Sequence, residues 1–304
     1  MRGAPARTRL DSFALVTLAY VVALAVAVAT PVVLPGLGGL GLVLAADLAA
    51  TVVVFAFSIR LGNGSVYDPY WSVAPPVIAL HWVTVATDAR GARQLLVLVC
   101  VGAWAVRLTW NWARGWPGLH HEDWRYPLLY ERSPLPRWAT SLLGIHLFPT
   151  VQVWLGCLAL APALGWGGRP IGLLDALAVL VAGGAILLET VADEQMRAFA
   201  RTKAPGAIMT GGLWGVVRHP NYLGEIGFWA GLALFGLAAA PSWWWSVLGP
   251  VAMILMFIGA SIPMLDERSV ERRPGYADLM RRLPALLPRP GRRAGAPADV
   301  TPLR

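Results

Sequence analysis

The chain has 304 residues, of which 57% are hydrophobic and only 14% charged, with a formal net charge of +8. One soluble core cannot bury that much apolar surface, so an ordinary water-soluble globular protein is excluded and lipid is the natural solvent for most of the chain. The positive balance invites nucleic acid, but the basic residues sit between apolar runs and at the C-terminal end; anionic lipid headgroups are the partner this distribution fits, with no nucleic acid.

The first apolar run, near 12–30, follows Arg2, Arg7 and Arg9. A secretory signal begins in the same way, yet no small-residue cleavage site interrupts the passage to Pro31, so the run is expected to stay as a helix. Crossing the hydrocarbon takes roughly 20 apolar residues. Further runs appear near 39–59, 72–87, 94–112, 139–163, 171–191, 222–239 and 244–264, the third of them short. The expected fold is therefore all-α, a polytopic transmembrane bundle of seven or eight helices forming one domain over 1–288. Residues 266–283 carry a helical polar pattern expected to lie along the membrane surface. The Pro/Gly/Arg-rich stretch 289–304 is expected to be a disordered basic tail.

If the helices alternate in direction, 21 of the 25 Lys and Arg residues fall on one side and Arg90, Arg93 and Arg169 on the other, with Arg107 inside a span. By the positive-inside rule the rich side is cytosolic, which gives a multi-pass protein of the cytoplasmic membrane with both termini in the cytosol. Fifteen tryptophans, among them Trp71, Trp82, Trp112, Trp116, Trp166 and 243–245, cluster near span ends as an interfacial belt would. Cys100 and Cys157 fall in apolar spans and are read as small hydrophobes. The adjacent His120 and His121 offer no metal site, and the lone His81 and His146 are read as satisfied by neighbouring backbone or hydroxyl groups.

The densest chemical signal is the run 210–225, Thr-Gly-Gly-Leu-Trp-Gly-Val-Val-Arg-His-Pro-Asn-Tyr-Leu-Gly-Glu, which leads into the seventh span. Pro220 suits a first helical turn because the donor it lacks would be orphaned there, and it pushes His219 into an extended conformation. Arg218, His219 and the free amides of that helix start then face one aqueous mouth, an arrangement suited to phosphate or pyrophosphate. Asn221 and Glu225 are one turn apart on a single face. A carboxylate at that depth needs a cation, a donor network or a ligand, and the plain structural reading is a pairing of Glu225 with Arg218. Asp68 before Pro69 reads equally as a cap for the third span.

Arg218-His-Pro-Asn-Tyr-Leu-Gly-Glu225 resembles the signature of the steroid 5α-reductase C-terminal superfamily, in particular its poorly characterised bacterial branch. Tyr67-Asp-Pro-Tyr-Trp71, Arg107-Leu, Glu122-Asp-Trp-Arg-Tyr126, the acidic pair Glu189 and Asp193 with Gln195, and Ile262-Pro-Met-Leu-Asp-Glu267 leading to Gly275-Tyr276 resemble that branch too. The resemblance runs from about 60 to 288. It implies a membrane reductase in which NADPH enters from the cytosol, lies in a cofactor half of about 171–288, and gives a hydride to an electron-poor carbon–carbon double bond of a lipophilic substrate arriving from the bilayer. Carried over, it implies cofactor contacts by Asn221, Tyr222 and Glu225, with Asp193 and Arg197 or Arg201 one loop earlier; Arg218 and His219 join them from the anion-site reading. The glutamate and tyrosine with which steroid-reducing members polarise the substrate carbonyl do not transfer cleanly, because Gly102–Arg107 contains no phenol. Asp68 or Tyr70 is the candidate acid, oriented by Arg107.

The rival enzyme is an S-adenosylmethionine-dependent membrane methyltransferase. The isoprenylcysteine and phospholipid methyltransferases share a similar Arg-His-Pro run, an acidic pair matched by Asp266-Glu267, and a tail tyrosine matched by Tyr276. Asp68-Pro-Tyr-Trp71, Glu122-Asp123 and Asp193 resemble the reductase branch only. A non-enzymatic transporter or scaffold needs a continuous polar path or repeated broken helices, and neither is visible.

Overall fold

The computed structural model describes residues 8–87 and 91–288; the expected tail at 289–304 lies outside the described residues. Among them the chain is helical, with no strand. In chain order the helices are α1 (Arg9–Val33), α2 (Gly39–Leu61), α3 (Tyr70–Thr84), α4 (Gly91–Gly115) and α5 (Arg125–Arg132). There follow α6 (Arg137–Trp166), α7 (Leu173–Thr202), α8 (Pro220–Ala239), α9 (Pro241–Arg272) and α10 (Tyr276–Arg282). All but α3, α5 and α10 are long and apolar enough to cross a membrane, seven helices in all. The protein is a multi-pass helical bundle, and the expected third span is the 15-residue α3.

Long-range side-chain bonds gather the basic loops at one end of the bundle. Arg9 at the start of α1 donates to the carbonyls of Ala113 and Trp116 at the end of α4. Arg114 pairs with Glu194 of α7, Arg132 with Glu267 of α9, and Arg218 with Asp266 of α9. At the opposite end Arg93, fully buried, is held by Asp175 at 2.6 Å and by the carbonyls of Arg169 and Pro170 at 2.8 and 3.0 Å. That pair closes the end of α4 onto α7.

Helices α7 and α8 make the tightest seam. A Cβ on Gly231 would lie 2.7 Å from Ala182 Cβ, and one on Gly224 would lie 2.9 Å from the Ala185 carbonyl oxygen. Glycine here lets two backbones meet without side chains between them, which is how helices in lipid gain packing when no hydrophobic drive separates protein from solvent.

Two expectations are corrected. Residues 266–283 do not form one surface helix: α9 runs straight on to Arg272, Gly275 turns the chain with φ +88°, and α10 folds back. Beyond α10, the carbonyls of Pro284 and Ala285 accept the N–H groups of Arg218 and His219, each at 3.0 Å, so the segment docks on the loop before α8. The tryptophans are also not simply a belt. Trp82 and Trp116 are buried, as are Trp104 and Trp229, and Trp166 packs on Trp82 and Trp243; Trp244 stays exposed. Aromatic bulk in this bundle fills the core as well as marking its edges. His146 is buried and bonded to the Ser141 carbonyl and the Ser58 hydroxyl, both at 2.9 Å, and both cysteines are buried and free.

Candidate functional site

At the basic end, α8 begins as the sequence requires, with His219 non-helical and Pro220 in the first turn. The loop before it is fixed by Gln195 of α7, whose side chain accepts the Leu213 N–H at 2.9 Å. Gly212, at φ +57°, is obligatory there, since a Cβ would fall 2.5 Å from the Gln195 amide. The Trp214 indole donates to the Ala192 carbonyl at 2.9 Å and completes the attachment.

Asp266 organises what lies beneath. Its carboxylate accepts from Arg218 at 2.7 Å, from His219 Nε2 at 3.0 Å and from the Tyr276 hydroxyl at 3.0 Å. Burial, with the nearby Asp266 carboxylate, pushes the Tyr276 phenol up to about 12, so it remains a donor. Arg218 also donates to the Leu283 and Met280 carbonyls. Glu267, next in sequence, turns away to Arg132.

Above this network lies a cavity of about 300 Å³. Its walls carry Lys203, Arg218, Arg268, Arg272 and Arg273, with His219 and Asn221 at the start of α8; no carboxylate is among the lining residues. Trp124 and Trp214 flank it, and the Arg268 guanidinium stacks over the Trp124 ring at 3.9 Å from the centroid. Excess guanidinium charge beside flat aromatic rings suits a phosphate-bearing heterocycle.

The other expected cofactor residues lie outside this recess. Tyr222 stacks between His219 and Phe257. Glu225 lies in the core, where the Trp104 and Trp229 indoles donate to it at 3.0 and 2.9 Å, so its partners are neither Arg218 nor any other cation of the basic loops. Glu225 also meets the Glu189 carboxyl, which ties it to Asp193: Arg107 of α4 bridges Glu189 and Asp193, the latter at 2.8 Å, and Asn111 donates to Asp193 at 2.9 Å while accepting from Arg197 at 3.0 Å. Arg201 is exposed and lines no part of the cavity.

The three candidate catalytic residues also separate. Arg107 serves the α4–α7 network just described. Asp68 accepts from Tyr126, within a brace in which Glu122 accepts the Gly64 N–H at 2.7 Å and Asn63 donates to the Leu119 and His121 carbonyls. Burial pushes the Asp68 carboxyl up to about 7, against the lowering effect of Tyr126 and Arg125. Tyr70 points elsewhere, its hydroxyl donating to Asp47 Oδ1 at 2.7 Å. That pair lines a separate apolar cavity of about 250 Å³ between α1, α2 and α3, walled by residues such as Ala27, Val43, Val73 and Ile78. Asp47 is 5% exposed, and its Oδ2 is buried without a hydrogen-bond partner.

For Asp47 the signal available in the sequence is a carboxylate alone among apolar residues. Lys203, Arg268, Arg272 and Arg273 were visible as basic residues, but nothing in their spacing announced a shared cavity.

Fold and site together define a multi-pass helical membrane protein with a basic, aromatic-flanked recess at one end and an apolar cavity between its first three helices. The chain belongs to the DUF1295 family, described as a protein family of unknown function, whose match covers residues 54–283. The matched region contains Tyr70, Arg107 and the whole basic recess; Asp47 precedes it. The chain is also similar to "Uncharacterized protein C594.04c" of Schizosaccharomyces pombe, with 26% identity over 251 aligned residues covering 74% of this chain and 72% of that protein. No solved structure matches the chain.

Proposed function

We propose that the protein is a membrane-embedded, NADPH-dependent reductase of the steroid 5α-reductase-like superfamily, acting on an electron-poor double bond in a lipophilic substrate, with the basic recess facing the cytosol. The observation that carries this reading is the acid–phenol pair of Asp47 and Tyr70, set in an apolar cavity with one carboxyl oxygen unpartnered. Hydride addition to an enone places negative charge on the carbonyl oxygen, which a donor in a water-poor cavity stabilises strongly. Methyl transfer to a nucleophile develops no oxyanion for the pair to stabilise and would use it only as a base.

The residues of the basic recess fit the cofactor's charge: Arg268 and Arg218 oppose phosphate, Trp124 and Trp214 offer faces for a base, and Asn221 offers an amide. At about 300 Å³ the recess stands at the lower end of ligand cavities, which run from roughly 300 to 1,000 Å³. NADPH, when bound, supplies the hydride for the β-carbon. The chain's own part is to orient the substrate and handle its oxygen. With a proton on Oδ2, Asp47 donates to the substrate carbonyl while Tyr70 donates to Oδ1, holding the carboxyl in place. The enolate formed then takes its proton at the α-carbon from water, Asp47 keeping its own, which completes the reduction to the saturated carbonyl.

The test is thermal stabilisation of the detergent-purified chain by NADPH, NADP, NADH, S-adenosylmethionine and its demethylated product. Saturable stabilisation by NADPH, lost in Asn221→Ala and Arg268→Gln, supports the reductase. A response to the methyl donor alone replaces it with a methyltransferase, for which the Asp266 network is the matching part. No response to any of them removes both.

A further inference from the structure

Beside the recess, the loop 203–207 and the end of α9 enclose a groove of about 360 Å³. Lys203 follows the last residue of α7, and Arg272 is the last residue of α9, so the groove sits where two membrane-crossing helices end. Lys203, Arg272 and Arg273 line it, and among the described residues none of the three has a carboxylate within ion-pair distance. Arg273 donates to the Ser269 hydroxyl at 3.0 Å. The other wall, Ala204, Pro205 and Ala207, is apolar or small. Among neighbouring surface cations Arg281 pairs with Asp278 and Arg132 with Glu267, while Arg201 and Arg282, also without an ion pair among the described residues, lie outside the concavity.

Three cations without an ion-pair partner among the described residues, gathered in one concavity, call for an anion. At the end of membrane-crossing helices, the anion always at hand is a lipid phosphate. We propose that this groove binds the phosphodiester headgroup of an anionic phospholipid, with the guanidinium and ammonium groups on the phosphate and the Ala-Pro wall against the glycerol. Lys203, Arg272 and Arg273 also line the recess, so the bound headgroup forms part of its rim. The assignment requires that headgroup and recess ligand be held together.

The experiment titrates the full chain, in neutral detergent, with dioctanoyl phosphatidylglycerol, dioctanoyl phosphatidylcholine and inorganic phosphate, and counts bound ligand by native mass spectrometry. One phosphatidylglycerol is expected to be retained in preference to the other two. Each cation in contact with the headgroup contributes about fivefold to anionic-lipid affinity. The Lys203→Gln/Arg272→Gln variant should therefore bind roughly 25-fold more weakly, and an Arg281→Gln/Arg282→Gln variant on the same end unchanged. Melting of each variant without lipid separates lost binding from lost folding. Equal loss in both double variants, phosphate binding as tightly as lipid, or displacement of the lipid by NADPH overturns the assignment; the NADPH melting series on the same preparation reports the reductase reading independently.

Discussion

Arg218 lines the recess and also ties the chain's last helix to it, so Arg218→Ala separates two roles that one residue fills. In the structure its guanidinium holds Asp266 at 2.7 Å and the Met280 and Leu283 carbonyls, with only 9% of the side chain exposed. Removing one member of a buried ion pair costs about 3–5 kcal/mol when the remaining charge is stranded. Asp266 is not stranded, because His219 and Tyr276 still donate to it, so the lower end applies, about 3 kcal/mol. For a chain of this size that corresponds to a fall in melting temperature on the order of 5 °C. The assay is thermal melting in detergent, read alongside protease sensitivity between 272 and 288, where the loss of anchoring should appear first. Arg218→Lys should recover part of the loss through the Asp266 contact but not the carbonyl bonds. Arg268→Gln, whose guanidinium rests on Trp124 without an ion pair among the described residues, should melt within about 0.5 kcal/mol of the unmodified chain while losing nucleotide stabilisation. If Arg218→Ala melts normally and its tail stays protected, the account of the docked segment is wrong.

Asp68→Asn should change stability in a pH-dependent way. The folded carboxyl sits near 7 against an ordinary 3.8, so the folded state prefers the neutral acid, and native stability falls as pH rises from about 4 to 7 and is flat above. The advantage of Asn over Asp should therefore grow across that window, by up to about 4 kcal/mol, in melts taken at successive pH values; a constant difference refutes it. Gly231→Ala should cost about 1–3 kcal/mol by driving a methyl into Ala182, and a neutral result would mean the α7–α8 seam is looser than its 2.7 Å approach. Arg93→Ala should cost about 3–5 kcal/mol because it strands buried Asp175, while Arg93→Met/Asp175→Leu should cost much less. Equal melting of the single and double variants would refute that coupling.

Hydropathy made the spans legible, and the alternating basic loops made the shared end legible, because both are local or additive along the chain. The start of α8 was legible for the same reason: Pro220 fixes its own backbone. Pairings across helices were not. Asn221 and Glu225 share a helix face in the sequence, yet Asn221 reaches the recess while Glu225, one turn deeper, meets Trp104 of α4. Spacing says which residues share a face and nothing about which helix will lie against it. Tyr70 and Asp47 illustrate the same limit, since 23 residues and a loop separate two groups that end 2.7 Å apart. The break at Gly275 was hidden because the polar pattern on either side keeps helical phase, and one positive φ redirects the chain.

The docking of Pro284 and Ala285 onto Arg218 and His219 has a bearing on biogenesis. During synthesis, α8 and its Arg-His-Pro entry leave the ribosome well before residues 276–285, so the recess gains its floor only after the last membrane-crossing helix of the described chain has been inserted. A nascent protein stalled short of that point would be threaded through the bilayer with this recess still open on one side, so the recess takes its shape only once residues 276–285 have docked.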